Sequence, residues 1–216
     1  MLSIIRQNKL YFSCLGLYFA IAGILVLLQE KGDLVLFLNS RHHPLLDVLF
    51  KYITYLGDGF FAVSIILFFL LFINMYEAVV LTTSVLISFC VVQFLKLHVF
   101  YEQVRPFKYF SETTPLHRAE GLEIHLYNSF PSGHSAQAFT LFLVITLFLK
   151  NKNWSPVFFS IALLVTISRI YLAQHFLIDT YFGALIASVL TMCTYLYFNT
   201  YTSLPKKERW QRGLLR

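Results

Sequence analysis

"SRIYLAQHFLIDTYFG", residues Ser168 to Gly183, lies between two apolar runs, Val157–Ile167 and Ala184–Phe198. The flanks read as membrane spans, because a bilayer core is crossed by about 20 mainly apolar helical residues. The stretch itself holds an arginine, a histidine and an aspartate. Ionisable groups at the edge of a span are costly and mark a functional site by default. The fold turns on reading Arg169 as the end of one span and His175 as the start of the next, with a short turn between them. His175 and Asp179 then stand four residues apart on one helix face.

The rest of the chain agrees with a membrane protein. Of 216 residues, 57% are hydrophobic and only 13% are charged, against about a quarter charged in soluble domains. The fold class expected is all-α and polytopic, one membrane-embedded domain over residues 1–216. Six spans are expected at Leu10–Leu28, Gly59–Tyr76, Ala78–Phe100, Gly133–Leu149, Val157–Ala173 and His175–Phe198. The first lacks a small-residue cleavage site and reads as an uncleaved anchor. From Pro44, the residues Leu45, Leu46, Leu49, Phe50, Ile53 and Leu56 recur at helical spacing. That predicts a short helix lying in the interface after the first span. Cys14, Cys90 and Cys193 sit in apolar runs and make no disulfide framework or metal motif.

Charge sets the orientation. Arg6 and Lys9 precede the first span, Lys150 and Lys152 separate the fourth and fifth, and Lys206, Lys207, Arg209, Arg212 and Arg216 form a basic tail over about 204–216. Six spans put these regions on one side, which the positive-inside rule makes cytoplasmic, with both termini. The net charge of +6 thus reflects the membrane and not a nucleic-acid partner. The tail reads as a solvated or headgroup-facing end.

Three clusters then map to the opposite side. In "KLHVFYEQVRP", Lys96 stands at the end of the third span and Arg105 precedes Pro106, which marks the exit from the helix. In "FPSGHSAQAF", Pro131, Ser132 and Gly133 stand at the start of an apolar helix, whose free N–H groups and dipole suit a phosphate. Gly133 allows close backbone approach, and His134 is placed to donate a proton. The third cluster is Arg169, His175 and Asp179, where a carboxylate can orient an imidazole nucleophile. Each cluster also has a plain reading: a snorkelling lysine, an ordinary serine cap, a His–Asp tie between two helices. Together they supply three cations, a helix start and two histidines, which is what phosphoryl transfer asks for. Carboxylates are too few for a magnesium cage, and the arginines would repel a zinc ion at His134, His175 and Asp179.

At these residues the sequence resembles the type 2 phosphatidic acid phosphatase family, membrane enzymes related to vanadium haloperoxidases. Pro131-Ser132-Gly133-His134 matches the family's second motif. Ser168-Arg169, then His175, then Asp179, matches its third in residue type and spacing. The first motif departs. The family has six residues between lysine and Arg-Pro, which falls on His98, whereas Lys96 leaves eight before Arg105. Lys96 is the expected residue because it supplies a fixed charge. The resemblance implies His175 as nucleophile, Asp179 as its partner and His134 as general acid. It implies Lys96, Arg105, Ser132, Gly133 and Arg169 as the phosphate cradle, and chemistry without a metal or other cofactor. It also implies a membrane lipid phosphate as substrate, processed at the periplasmic face of a bacterial inner membrane. Undecaprenyl pyrophosphate and lipid A are the expected substrates, with phosphatidylglycerol phosphate or phosphatidate as alternatives. The rival readings are a non-catalytic binder of phospholipid anions and an oxidant-producing haloperoxidase. The loop Phe107–Phe130, with Lys108, His117, Arg118 and His125, is expected to help select the headgroup.

Overall fold

The computed structural model describes residues 1–215, so Arg216 of the basic tail lies outside the described residues. Ten α-helices succeed one another in chain order: α1 (Leu2–Gln7), α2 (Lys9–Leu28), α3 (Asp33–Asn39), α4 (Pro44–Ile53), α5 (Gly59–Phe68), α6 (Met75–Phe94), α7 (Pro106–Tyr109), α8 (Gly133–Phe148), α9 (Ser155–Tyr171) and α10 (Leu177–Tyr201). The all-α expectation holds, and there is no strand among the described residues. Among the described residues four helices are long and apolar enough to cross a bilayer: Lys9–Leu28, Met75–Val99, Lys152–Tyr171 and Leu177–Tyr201. A fifth crossing is offered by Pro44–Gly57 with Gly59–Ile73, two segments bent by 55° at Asp58.

The remaining expected span is α8, and it differs from the others for a physical reason. Its 16 residues reach about 24 Å, short of a core of about 30 Å. It is the central helix, packed by α6, α9 and α10 and buried along nearly all of its length. Close approach there depends on small and polar residues, as expected where lipid tails give no hydrophobic drive between helices. Ala184, Ala187 and Gly183 of α10 are buried, and Thr140 Oγ1 of α8 donates to Ser88 Oγ of α6 at 2.9 Å. By contrast α2 leaves Leu17, Ile21, Ile24, Leu27 and Leu28 exposed, the surface of a lipid-facing helix.

α4 divides its apolar residues between two faces. Leu46 and Phe50 pack with Tyr171 and Leu172, and Ile53 packs on the main core. Leu45, Val48, Leu49 and Tyr52 stay exposed.

Two helices end in a single π-helical turn. One, Phe69–Ile73, closes α5 before Asn74 caps α6 by accepting from Tyr76 and Glu77 N–H groups. The other, Leu95–Val99, closes α6. The first is completed by the chain's own tail: Leu214 and Leu215 N–H donate to the carbonyls of Leu70 and Leu71, each at 2.9 Å. The segment up to Leu215 is therefore docked, not a free solvated end. No residue pattern signals this docking, because the contact uses backbone groups.

Candidate active site

α6, α8, α9 and the loop before α8 meet at the end of the bundle opposite the tail. Lys96 is 20 residues along from Tyr76, which is about 30 Å of helix. A cavity of about 290 Å³ lies there. Its walls include Lys96, Arg105, Gly133, His134, Arg169 and His175, and also His125, which comes from the long loop. Residues from widely separated parts of the chain thus face one space.

Each side chain has an identifiable reason to be there. The π turn Leu95–Val99 takes up an additional residue and shifts the phase of the helix at its end. Lys96 consequently points into the cavity, while His98 is exposed and leans on the Phe94 ring at 5.4 Å. Arg105 is buried at the start of α7. Its Nε donates to Tyr127 O at 3.0 Å, and its Nη1 approaches Gln174 Oε1 at 3.3 Å. Burial pushes its guanidinium down to about 10, against the pull of Asp179, so it remains charged at neutral pH. Arg169 is buried at the end of α9, where Nη1 donates to Thr54 Oγ1 at 2.9 Å and Nε has no protein partner among the described residues. His125 is kept below its usual range by burial first and by Arg105 next.

Ser132 is the N-cap of α8: its hydroxyl accepts from Ser135 N–H at 3.4 Å, and its own N–H donates to Asp179 O at 2.9 Å. The side chain is fully buried and does not line the cavity; the helix start that it caps does. A methyl group on Gly133 would meet only Lys96 Nζ, at 3.9 Å, so this glycine opens onto the space where an anion would lie. Gly183 serves another purpose. A side chain there would fall 2.5 Å from Ser132 O, so glycine is what lets α10 lie against the start of α8.

His175 and Asp179 are 1% and 2% exposed. Asp179 Oδ2 stands 3.5 Å from His175 Nδ1, longer than a hydrogen bond. The same oxygen accepts from Phe176 N–H at 2.9 Å and from Ser129 Oγ at 2.5 Å. Asp179 therefore both caps the first turn of α10 and stands behind the imidazole. With Nδ1 turned to the carboxylate, the ring offers Nε2 toward the cavity. Ser129, Thr54, Gln174 and His125 carry no motif signal, and sequence reasoning did not single out the first three.

A second cavity, of about 320 Å³, is lined by Phe176–Asp179, so that Asp179 faces it while His175, 3.5 Å away, faces the first. Leu25, Val26, Leu34, Val35 and Phe182 make it mainly apolar, with Lys31 at its edge.

Three cations and three histidines around one cavity in an all-helical membrane protein suit the handling of a phosphate. The chain belongs to the PAP2 superfamily, whose family model matches residues 77–203. It is accordingly an integral membrane phosphatase, a hydrolase of phosphoric esters. It is 27% identical over 193 residues to the lipid A 4'-phosphatase of Porphyromonas gingivalis, covering 85% of this chain and 77% of that protein. The crystal structure of Aquifex aeolicus LpxE superposes with a TM-score of 0.67 at 29% identity, covering 77% of this chain and 95% of the other. The PAP2-type phosphatidylglycerolphosphate phosphatase of Bacillus subtilis superposes with a TM-score of 0.65 at 22% identity, over 89% and 97% of the two chains, and so shares the fold.

Proposed function

We propose that this protein removes a phosphate from the headgroup of a membrane lipid by way of a phosphohistidine on His175. The observation that carries the reading is the convergence of Lys96, Arg105, Arg169, His134 and His175 on one cavity, with Asp179 behind His175. A phosphoryl group in transit spreads negative charge over its equatorial oxygens, and its transfer is governed by positioning and charge stabilisation. Lys96, Arg105, Arg169 and the start of α8 supply that charge. His175 Nε2 attacks phosphorus, and the bond to the lipid oxygen breaks as His134 gives that oxygen a proton. His134, now neutral, takes a proton from water as the water attacks the phosphohistidine. Inorganic phosphate leaves and His175 is restored. Every step is carried by side chains of this protein.

A lipid substrate is supported by the apolar cavity that lies behind the His175–Asp179 pair. Among the substrates expected from the sequence, lipid A is supported by the relative from Porphyromonas gingivalis; undecaprenyl pyrophosphate has no such support. α8, although short, serves as a sixth crossing inside a sheath of helices. The exposed apolar face of α4 rests in the interface beside the site. The positive-inside rule puts the basic loop and tail in the cytoplasm and the cavity at the periplasmic face of a bacterial inner membrane.

The test is phosphate release by the purified protein in mixed micelles, with a chelator present, from lipid A, undecaprenyl pyrophosphate, phosphatidylglycerol phosphate and phosphatidate. Release from lipid A is expected; release from none of the four would refute the lipid phosphatase reading. Vanadate should inhibit, whereas halide oxidation on adding it would favour the haloperoxidase alternative. Rapid quench with labelled phosphate should leave label on His175.

A further inference from the structure

His42, Asp47 and His117 come together outside the phosphate cavity, from three separate segments: the turn after α3, the first turn of α4 and the long loop before α8. Their ligand-type atoms all lie within 4.8 Å of one another. His117 Nε2 is 2.7 Å from Asp47 Oδ2, and the His42 ring stacks on the His117 ring at 3.7 Å between centroids.

The surroundings hold two of the three groups in place. Asp47 Oδ1 accepts from the Tyr171 hydroxyl at 2.7 Å, which leaves Oδ2 for another partner. The backbone of His117 is gripped from both sides by the buried side chain of Asn39: Nδ2 donates to His117 O at 2.9 Å, and Oδ1 accepts from His117 N at 2.8 Å. Partners behind the ligands that fix their orientation are the usual company of a metal site. The neighbouring cations are turned elsewhere. Lys51 Nζ donates to Glu120 O, and the Arg118 guanidinium donates to Leu122 O.

We propose that His42, Asp47 and His117 bind a zinc-class divalent cation that staples the long loop to α4. Two imidazoles and a carboxylate are a fitting donor set for zinc, with water as the fourth ligand. Tetrahedral ligation at about 2.0–2.1 Å requires the His117–Asp47 contact to open slightly, with its shared proton released to solvent. It also requires His42 to tilt out of the stack, since nearly parallel rings do not aim their lone pairs at one point. His42 is the exposed member, on a turn, and is free to do so. The staple has a consequence for the phosphate cavity. α4 leads into Thr54, the partner of Arg169, and the loop carries His125 into the cavity wall. A cation here fixes both without entering the reaction.

The experiment is titration of the metal-stripped, full-length protein with Zn²⁺ and with Co²⁺, monitored by calorimetry and by visible absorption. One equivalent should bind, with the intense absorption of four-coordinate cobalt and an upward shift of a few degrees in melting temperature. His42→Ala, on the exposed turn, should weaken binding at least tenfold and abolish the melting shift while the protein still folds. Asp47→Asn should do the same. The proposal is overturned if neither metal binds saturably, if both variants bind as the parent does, or if binding is lost only in His134→Ala or His175→Ala, which would move the metal to the phosphate cavity. Binding is read without substrate, so the outcome is separate from that of the phosphatase reading.

Discussion

The two π turns stand at opposite ends of the bundle and have opposite fates. At Phe69–Ile73 the freed carbonyls of Leu70 and Leu71 are taken up by the tail's own N–H groups. At Leu95–Val99 the turn swings Lys96 into a cavity where no protein acceptor meets its ammonium group among the described residues. Arg169 has an unpartnered Nε in the same space, buried. Buried polar groups are almost always paired, and an exception calls for an explanation. One end is closed by backbone bonds from the tail; the other gathers three cations around a cavity, where the proposed phosphate would pair with them.

The sharpest way to break this contrast is at His175. His175→Ala should lower turnover by about 10⁵-fold or more, the scale seen when a nucleophile acting within a unit is lost. Phosphate release by the purified variant measures it, with circular dichroism to show that the helices remain. Residual activity within tenfold of the parent would remove His175 from the reaction.

Next comes the pair on the π turn. Lys96→Ala should lower kcat/KM by about 10²–10³-fold, as when one preorganised donor to a transition state is removed. His98→Ala should change it less than twofold, because that ring faces outward onto Phe94. The reverse ranking would mean that the turn rotates on binding.

A smaller effect is expected at Ser129. A hydrogen bond to a charged group contributes about 1.5–3 kcal/mol, so Ser129→Ala should reduce kcat by about 10- to 100-fold. KM should move little, since the Ser129 hydroxyl bonds to Asp179 and lies behind the cavity wall. Ser129→Thr should recover most of the loss, which a purely structural role would not require.

Some of this was legible in the sequence, and the rest was hidden for definite reasons. His175 and Asp179 were readable because four-residue spacing within one helix fixes their proximity locally. The start of α8 was readable from Pro131-Ser132-Gly133 for the same reason. Ser129 reaches Asp179 across 50 residues, and Thr54 reaches Arg169 across 115. No local pattern encodes such distances. The π turn at Leu95–Val99 leaves the apolar periodicity almost unchanged, yet it takes up one of the two residues by which the Lys96–Arg105 spacing exceeds the family's. The helix before Asp58 was legible from the helical spacing of its apolar residues from Pro44, but the 55° joint to α5 is a matter of packing.

The weakest expected effect lies at the completed end. Gly213 brings the tail so close to the π turn that a methyl group there would collide with Leu71 O. Gly213→Ala should therefore lift the tail and break the bonds from Leu214 and Leu215. Two exposed backbone hydrogen bonds are worth about 1–3 kcal/mol together, less whatever water recovers. A melting temperature lower by a few degrees is expected, with kcat and KM for the lipid substrate within about twofold of the parent. The cavity is about 30 Å away along α6, and no cation of the tail lines it among the described residues. A large loss of turnover in this variant, with the melting temperature unchanged, would show that the two ends are coupled through α6 and that the docked tail does more than satisfy carbonyls.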